Sequence, residues 1–153
     1  MESNIYATTN YTLNANNQIT EINQAGQTRT FEYDGHGRLW HRITPEQATT
    51  TYTYFNDDTV NIVTDARGAI TTFAYNNRHL VKDITYGVPA GVAATPNVSF
   101  GYDAAGNRTS MTDGLGSVTY NYNMLSQMTS ETRTFTALSP NTYSITWTIA
   151  PLL

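Results

Sequence analysis

An aromatic residue, any residue, then tyrosine: this triplet returns along the chain at a nearly constant interval. It appears as Phe31-Glu32-Tyr33, Tyr52-Thr53-Tyr54, Phe73-Ala74-Tyr75, Phe100-Gly101-Tyr102 and Tyr120-Asn121-Tyr122. The final tyrosines are separated by 21, 21, 27 and 20 residues. Upstream, Tyr11-Thr12-Leu13 fits the same frame. The long step contains Gly87 to Pro96, rich in Gly, Pro and Ala, and removing about six residues there restores the period. A fixed period of this length means one small structural unit repeated, each copy burying its apolar side against the next.

What lies between the triplets identifies the unit. Tyr33-Asp34-Gly35-His36-Gly37-Arg38-Leu39 runs from an aromatic residue through Asp and Gly to an aliphatic one. Tyr102-Asp103-Ala104-Ala105-Gly106-Asn107-Arg108 repeats the pattern. The Asp carboxylate accepts a hydrogen bond from a backbone N–H two residues on, and Gly supplies the positive φ that closes a hairpin. A second turn falls in mid-repeat, at Asn23 to Gly26, Asp65 to Gly68 and Asp113 to Gly116. Pro45 to Ala48 has the same phase but not the pattern. Between turns the residues alternate as strands do. Leu39 and Ile43 are expected to share a face, as are Val60 and Ile62, Leu80, Lys82 and Ile84, and Val98, Phe100 and Tyr102. No segment has a helical period. The expected fold is all-β, an antiparallel meander with a ~21-residue period and stacked rings on one face. One array is expected over residues 1–153, with repeats from about 11 to 135, an inserted loop at 87–96 and an irregular C-terminal strand within 136–153. Thr142 to Ile149 is its strand, with Tyr143, Ile145, Trp147 and Ile149 on a common face.

Composition narrows the function classes. The chain has 11 Tyr and much Thr and Asn, residues of half-buried pleated surfaces and turns. Asp and Glu (12) outnumber Lys and Arg (8), giving a net charge of −4, the wrong sign for a nucleic-acid surface. With no Cys there is neither a disulfide framework nor a thiolate metal site. Met1 to Tyr6 carries no secretion signal, and no apolar run is long enough to span a bilayer. Ala150-Pro151-Leu152-Leu153 is an apolar ending where a repeat array normally has a polar cap, as expected of a cut through a longer chain or an edge that meets a partner.

Tyr-Asp-x-x-Gly-Arg-Leu at this period, with a mid-repeat Asp-x-x-Gly, resembles the YD repeats of the Rhs family. The resemblance covers roughly Tyr11 to Phe135. Its best copies are Tyr33 to Leu39 and Phe100 to Thr112; those at Tyr54, Tyr75 and Tyr122 keep the Tyr but lose the Asp, the Gly or both. The resemblance implies long, spiralling strips of antiparallel sheet. In bacterial Rhs proteins and insecticidal toxin complexes such strips close into a hollow shell around a toxic C-terminal domain. In teneurins a related barrel serves adhesion at the cell surface, and some YD-repeat proteins are associated with carbohydrate. The Asp-Pro-x-Gly-Leu self-cleavage motif of shell-type members is not found here.

No residue pattern names a reaction. Tyr33, Asp34, Gly37, Leu39, Tyr54, Asp65, Gly68, Tyr75, Tyr102, Asp103, Gly106, Asp113, Gly116 and Tyr122 recur with the repeat and are expected to serve it. His36, His41 and His79 lack metal-ligand spacing, and there is no nucleophile elbow or P-loop. The expectation is a non-catalytic wall or scaffold segment of an extracellular or cell-surface protein, without a cofactor. Its partners are expected to be the remainder of a longer Rhs-like chain or other copies of itself, with no nucleic acid and no membrane insertion. Two alternatives stay open: a subunit that assembles through open sheet edges, and a carbohydrate-binding module with Trp40 as the contact.

Overall fold

The computed structural model describes residues 8–137 and 142–146. Met1 to Tyr6, Trp147, Ile149 and the apolar ending lie outside the described residues. Thirteen strands occur among those described, and no helix. They are β1 (Thr9–Leu13), β2 (Ile19–Gln24), β3 (Gln27–Tyr33), β4 (Leu39–Thr44), β5 (Ala48–Tyr54), β6 (Val60–Thr64) and β7 (Ile70–Tyr75). These are followed by β8 (Val81–Gly87), β9 (Val98–Tyr102), β10 (Arg108–Asp113), β11 (Gly116–Tyr122), β12 (Met128–Phe135) and β13 (Thr142–Thr146). Sheet order is chain order throughout, a meander whose described ladders are antiparallel. The stretch between β8 and β9 is rich in Gly, Pro and Ala, and Gly87, where the inserted loop was expected to begin, ends β8. The chain divides into two compact units, one up to Thr71 with Pro89–Gly91, the other Thr72–Val88 with the residues from Val92 on.

Strict alternation fails at one recurring place. Where four of the aromatic-x-Tyr strands, β3, β5, β9 and β11, meet the next, the pairing skips one residue. Glu32 lies opposite His41 but Tyr33 opposite Leu39, so Trp40 is passed over. Thr53 and Tyr54 skip Asn61 in the same way, Gly101 and Tyr102 skip Thr109, and Asn121 and Tyr122 skip Thr129. These are β-bulges, in which two residues of one strand oppose one of its neighbour. They correct the expected faces. Leu39 pairs with Tyr33 and Ile43 with Thr30, which alternate on β3, so Leu39 and Ile43 fall on opposite faces. Val60 and Ile62 separate likewise, opposite Tyr54 and Thr53.

The bulges leave each sheet two-faced. In the first unit, cross-strand pairing puts Tyr11, Ile22, Phe31, Tyr33, Leu39, Arg42, Tyr52, Tyr54 and Val63 on one face. The other carries Glu21, Thr28, Thr30, Glu32, His41, Thr49, Thr51 and Thr53. In the second unit the aromatic face holds Phe100, Tyr102, Met111, Val118, Tyr120 and Tyr122. Its reverse across β10 to β13 is an array of Ser110, Thr112, Ser117, Thr119, Asn121, Ser130, Thr132, Thr134, Thr142, Ser144 and Thr146. Hydroxyls and amides pair across strands there, as in Asn121 with Ser130 at 2.9 Å and Thr132 with Ser144 at 3.0 Å. The described residues form one sheet and no helix. Among the described residues only Thr50, Val118 and Tyr120 are buried.

Candidate functional site

The repeated Asp and Gly build one five-residue turn. Asp34 N–H donates to the Arg38 carbonyl at 2.8 Å, and Gly37 N–H donates back to the Asp34 carbonyl at 2.9 Å. The Asp34 Oδ1 accepts the N–H groups of His36 and Arg38, each at 2.9 Å. Gly37 closes the loop at φ 79°. The same bonds recur at Asp65 with Gly68 (φ 81°) and at Asp103 with Gly106 (φ 93°). Asp65 was expected to mark a different, mid-repeat turn; its geometry is that of Asp34. The other mid-repeat connections differ. Gln24 and Gln27 are joined by Ala25-Gly26 alone, and Asp113 pairs with Gly116 across Gly114-Leu115. The Asp113 Oδ1 accepts the N–H groups of Leu115 and Gly116 at 2.8 and 3.0 Å.

Copies that looked degraded in sequence keep the turn. Asn14, Asn76 and Asn123 stand where Asp34 does, and their carboxamide Oδ1 accepts the same two N–H groups. The left-handed position is held by Asn17, Asp58, His79 and Ser126, at φ 58° to 66°. Asn, Asp and His are the side chains that tolerate this region best, so all but Ser126 carried a readable signal. Gly37→Val is therefore expected to destabilise by more than about 1 kcal/mol and Gly37→Asn by much less. Urea unfolding of the two variants distinguishes them, and equal midpoints would contradict the turn geometry.

Side chains tie each turn to its neighbour within a unit. In the first, Gln18 Nε2 donates to the Gly37 carbonyl at 2.7 Å. Arg38 bridges its own Asp34 and the next turn's Asp58, both at 2.7 Å, and lies 4.6 Å over the Tyr54 ring. In the second, Arg78 Nη1 donates to the carbonyls of Asp103 and Ala104 at 3.2 and 2.6 Å, and Asn107 donates to Ser126 Oγ at 3.0 Å. Gln18, Arg38, Arg78 and Asn107 were not singled out from sequence, because the signal is spatial: they sit about one repeat from their partners.

These bonds hold the turn aspartates below their ordinary value of 3.8. The leading cause is the Arg38 N–H at Asp34, the Arg67 side chain at Asp65 and the Asn107 side-chain amide at Asp103. A carboxyl whose folded pKa is depressed stabilises the fold fully above its unfolded pKa, and that contribution disappears as pH falls through the folded value. Acid unfolding is thus expected below the ordinary aspartate range. Replacing Asp34, Asp65 and Asp103 together by Asn, the residue at Asn14, Asn76 and Asn123, should flatten that pH dependence while preserving the turns. Urea midpoints at neutral and acid pH measure this, and an unchanged acid slope would refute it.

The tyrosines fasten successive strands. Tyr33, Tyr54, Tyr102 and Tyr122 each donate their hydroxyl to the first carbonyl of the preceding strand: Ile19 at 2.8 Å, Leu39 at 2.7 Å, Val81 at 2.8 Å and Arg108 at 2.9 Å. Tyr75 ends β7 in the same repeat position. Each bond runs to the preceding strand, whereas the bulge at the same tyrosine lies on the side of the following strand. Tyr54→Phe is expected to cost about 1 kcal/mol, the net value of such a bond, read from the shift in urea midpoint. No loss would mean that the hydroxyl is as well satisfied by water.

Trp40 is the passed-over residue of the β4 bulge. It is 48% exposed and stacks on His41, with ring centroids 3.7 Å apart. His41 Nδ1 lies 2.7 Å from Glu32 Oε2. No cluster of metal-ligating side chains occurs among the described residues.

The RHS Repeat family model matches residues 14–49 and 102–137, each of which contains Asx turns of the kind described. Those two stretches are RHS repeats. No curated protein sequence matches it significantly. Solved structures share the fold. The TcdB2-TccC3 crystal structure aligns with TM-score 0.73 at 20% identity, covering 85% of this chain and 7% of that one. TcdB2-TccC3 without its hypervariable C-terminal region gives 0.74, with the same identity and coverage. The Photorhabdus luminescens Tc holotoxin pore gives 0.71 at 20% identity, over 82% of this RHS-repeat chain and 7% of its own. The chain thus spans 7% of the length of the chains it resembles.

Proposed function

We propose that this RHS-repeat chain is a non-catalytic wall segment, one array of repeats within a larger secreted or cell-surface Rhs-like protein of the toxin-associated kind. Its repeated Tyr, Asp and Gly serve the wall and no reaction. The observation that carries this reading is the outer strand β13. It pairs with β12 alone among the described residues, and all five of its residues are exposed. An exposed outer strand bearing Tyr143 and Ile145 is a template for another strand. That strand comes from the remainder of a longer chain or from another copy. The test is amide hydrogen exchange at β13, in this chain alone at low and high concentration and within its full-length parent. Protection confined to the parent supports a wall, and protection rising with concentration assigns the partner to another copy. Equal, fast exchange in all three overturns the reading.

Trp40 supports a second reading, a carbohydrate contact. Its half-exposed ring stacks on His41, which contacts the Glu32 carboxylate, on a face otherwise rich in Thr hydroxyls. Sugars stack their C–H faces on such rings. A glycan array with the native chain and Trp40→Ala tests it; a blank array or undiminished binding by the variant counts against it.

A further inference from the structure

On the aromatic face of the first unit, a concavity of about 670 Å³ lies between the β4–β5 loop and the β6–β7 turn. Its floor is Arg42 of β4, Thr50 and Tyr52 of β5, and Val63 of β6. The register gathers them, since Arg42 lies opposite Thr50 and Tyr52 opposite Val63. Two carboxylates stand at the rim, and each is already engaged. Glu46 pairs with Arg29 at 2.6 Å and Asp65 with Arg67 at 2.8 Å.

Arg42 differs from the other two arginines. It has no carboxylate partner among the described residues. Its Nη2 donates only to the side-chain Oε1 of Gln47, at 3.2 Å, and its Nε is sealed from solvent without an acceptor. An unmet donor at such a position costs about 1–3 kcal/mol. Beside it, Thr50 is 6% exposed, and neither its hydroxyl nor that of Tyr52 bonds to another described residue. The floor therefore offers an uncompensated cation, two free hydroxyls, and the apolar surfaces of Tyr52 and Val63.

We propose that this concavity binds a single carboxylate carried on an apolar or aromatic body. A carboxylate gives the guanidinium a charge-assisted, two-point partner where it now has one neutral amide. The hydroxyls of Thr50 and Tyr52 donate to the same oxygens, and the ligand body lies on Tyr52 and Val63. A dianion such as a phosphate monoester fits less well, because the rim carboxylates repel its second charge. Those carboxylates stay ionised: Asp65 is held below the ordinary range chiefly by the Arg67 side chain, and Glu46 chiefly by its own backbone N–H. A cationic ligand is repelled by Arg42 itself.

The test titrates the 153-residue chain with benzoate and with benzamide, its neutral counterpart of the same shape, following the Thr50 and Tyr52 amides by NMR. Benzoate is expected to give saturable shifts at those amides and benzamide none. Arg42→Met should weaken benzoate binding about tenfold or more, the worth of a charged hydrogen bond. A short peptide ending in Phe, with a free or an amidated C-terminus, separates the sources. A free-acid peptide that binds tighter than benzoate assigns the site to a polypeptide terminus, and one that binds more weakly assigns it to a small free acid. Benzamide binding as tightly as benzoate, unchanged binding by Arg42→Met, or no saturable shift overturns the proposal. The benzoate–benzamide comparison uses the unaltered chain and decides the matter even if Arg42→Met fails to fold.

Discussion

Gly116→Ala is expected to separate β11 from β12 and to destabilise the second unit by about 3 kcal/mol or more. Gly116 opens β11 at φ 147°, paired with Asp113 on one side and Phe135 on the other. A Cβ there would overlap the Thr134 carbonyl oxygen and sit 3.0 Å from the Thr134 carbonyl carbon and 3.1 Å from the Phe135 Cα. All three atoms are backbone, so the relief must come from the ladder itself. Gly37 and Gly68 differ in kind. A Cβ at Gly68 meets nothing within 4 Å, and one at Gly37 meets only the end of Gln18 at 3.4 Å. There the cost is conformational alone. Urea unfolding followed by circular dichroism should rank Gly116→Ala well above Gly37→Ala. Equal losses at the two positions would show that β12 lies farther from Gly116 than described.

How much of this was legible in sequence depends on whether the information is local. The hairpin at Asp34 is local: an Asp, a Gly three residues on, and a tyrosine before them suffice to place the turn and the period. The copies at Asn76 and Asn123 were underread, because a carboxamide oxygen accepts the same N–H groups as a carboxylate while the sequence pattern changes. The bulges were invisible. Nothing in Leu39-Trp40-His41 says that Trp40 is passed over, and missing it moves Ile43 to the other face. Gly116 was placed with Gly68 by phase, yet one answers the approach of a neighbouring strand and the other closes a turn. The Arg42 concavity draws on β4, β5, β6 and two connections, so no single motif could reveal it.

Tyr120→Ala is expected to cost about 3 kcal/mol, in the range for truncating a buried aromatic side chain, and Tyr120→Phe less than about 0.5 kcal/mol. Tyr120 is 8% exposed, and a long side chain on its own face contributes to that burial. That side chain is Arg108, lying 5.0 Å over the Tyr120 ring and 5.6 Å over that of Phe100. Val118, 1% exposed, lies two residues along the same face, opposite Met111 and Arg133. A long side chain laid across neighbouring strands thus shields these rings. The hydroxyl of Tyr120 bonds to no described residue, unlike that of Tyr122, so ring area rather than polarity decides the cost. Truncation leaves Arg108 on one ring and opens Val118 to water. Equal losses for the Ala and Phe variants, measured by urea unfolding, would place the stabilisation in the hydroxyl. A loss in the Ala variant alone means that the area of the Tyr120 ring beneath Arg108 stabilises this part of the sheet.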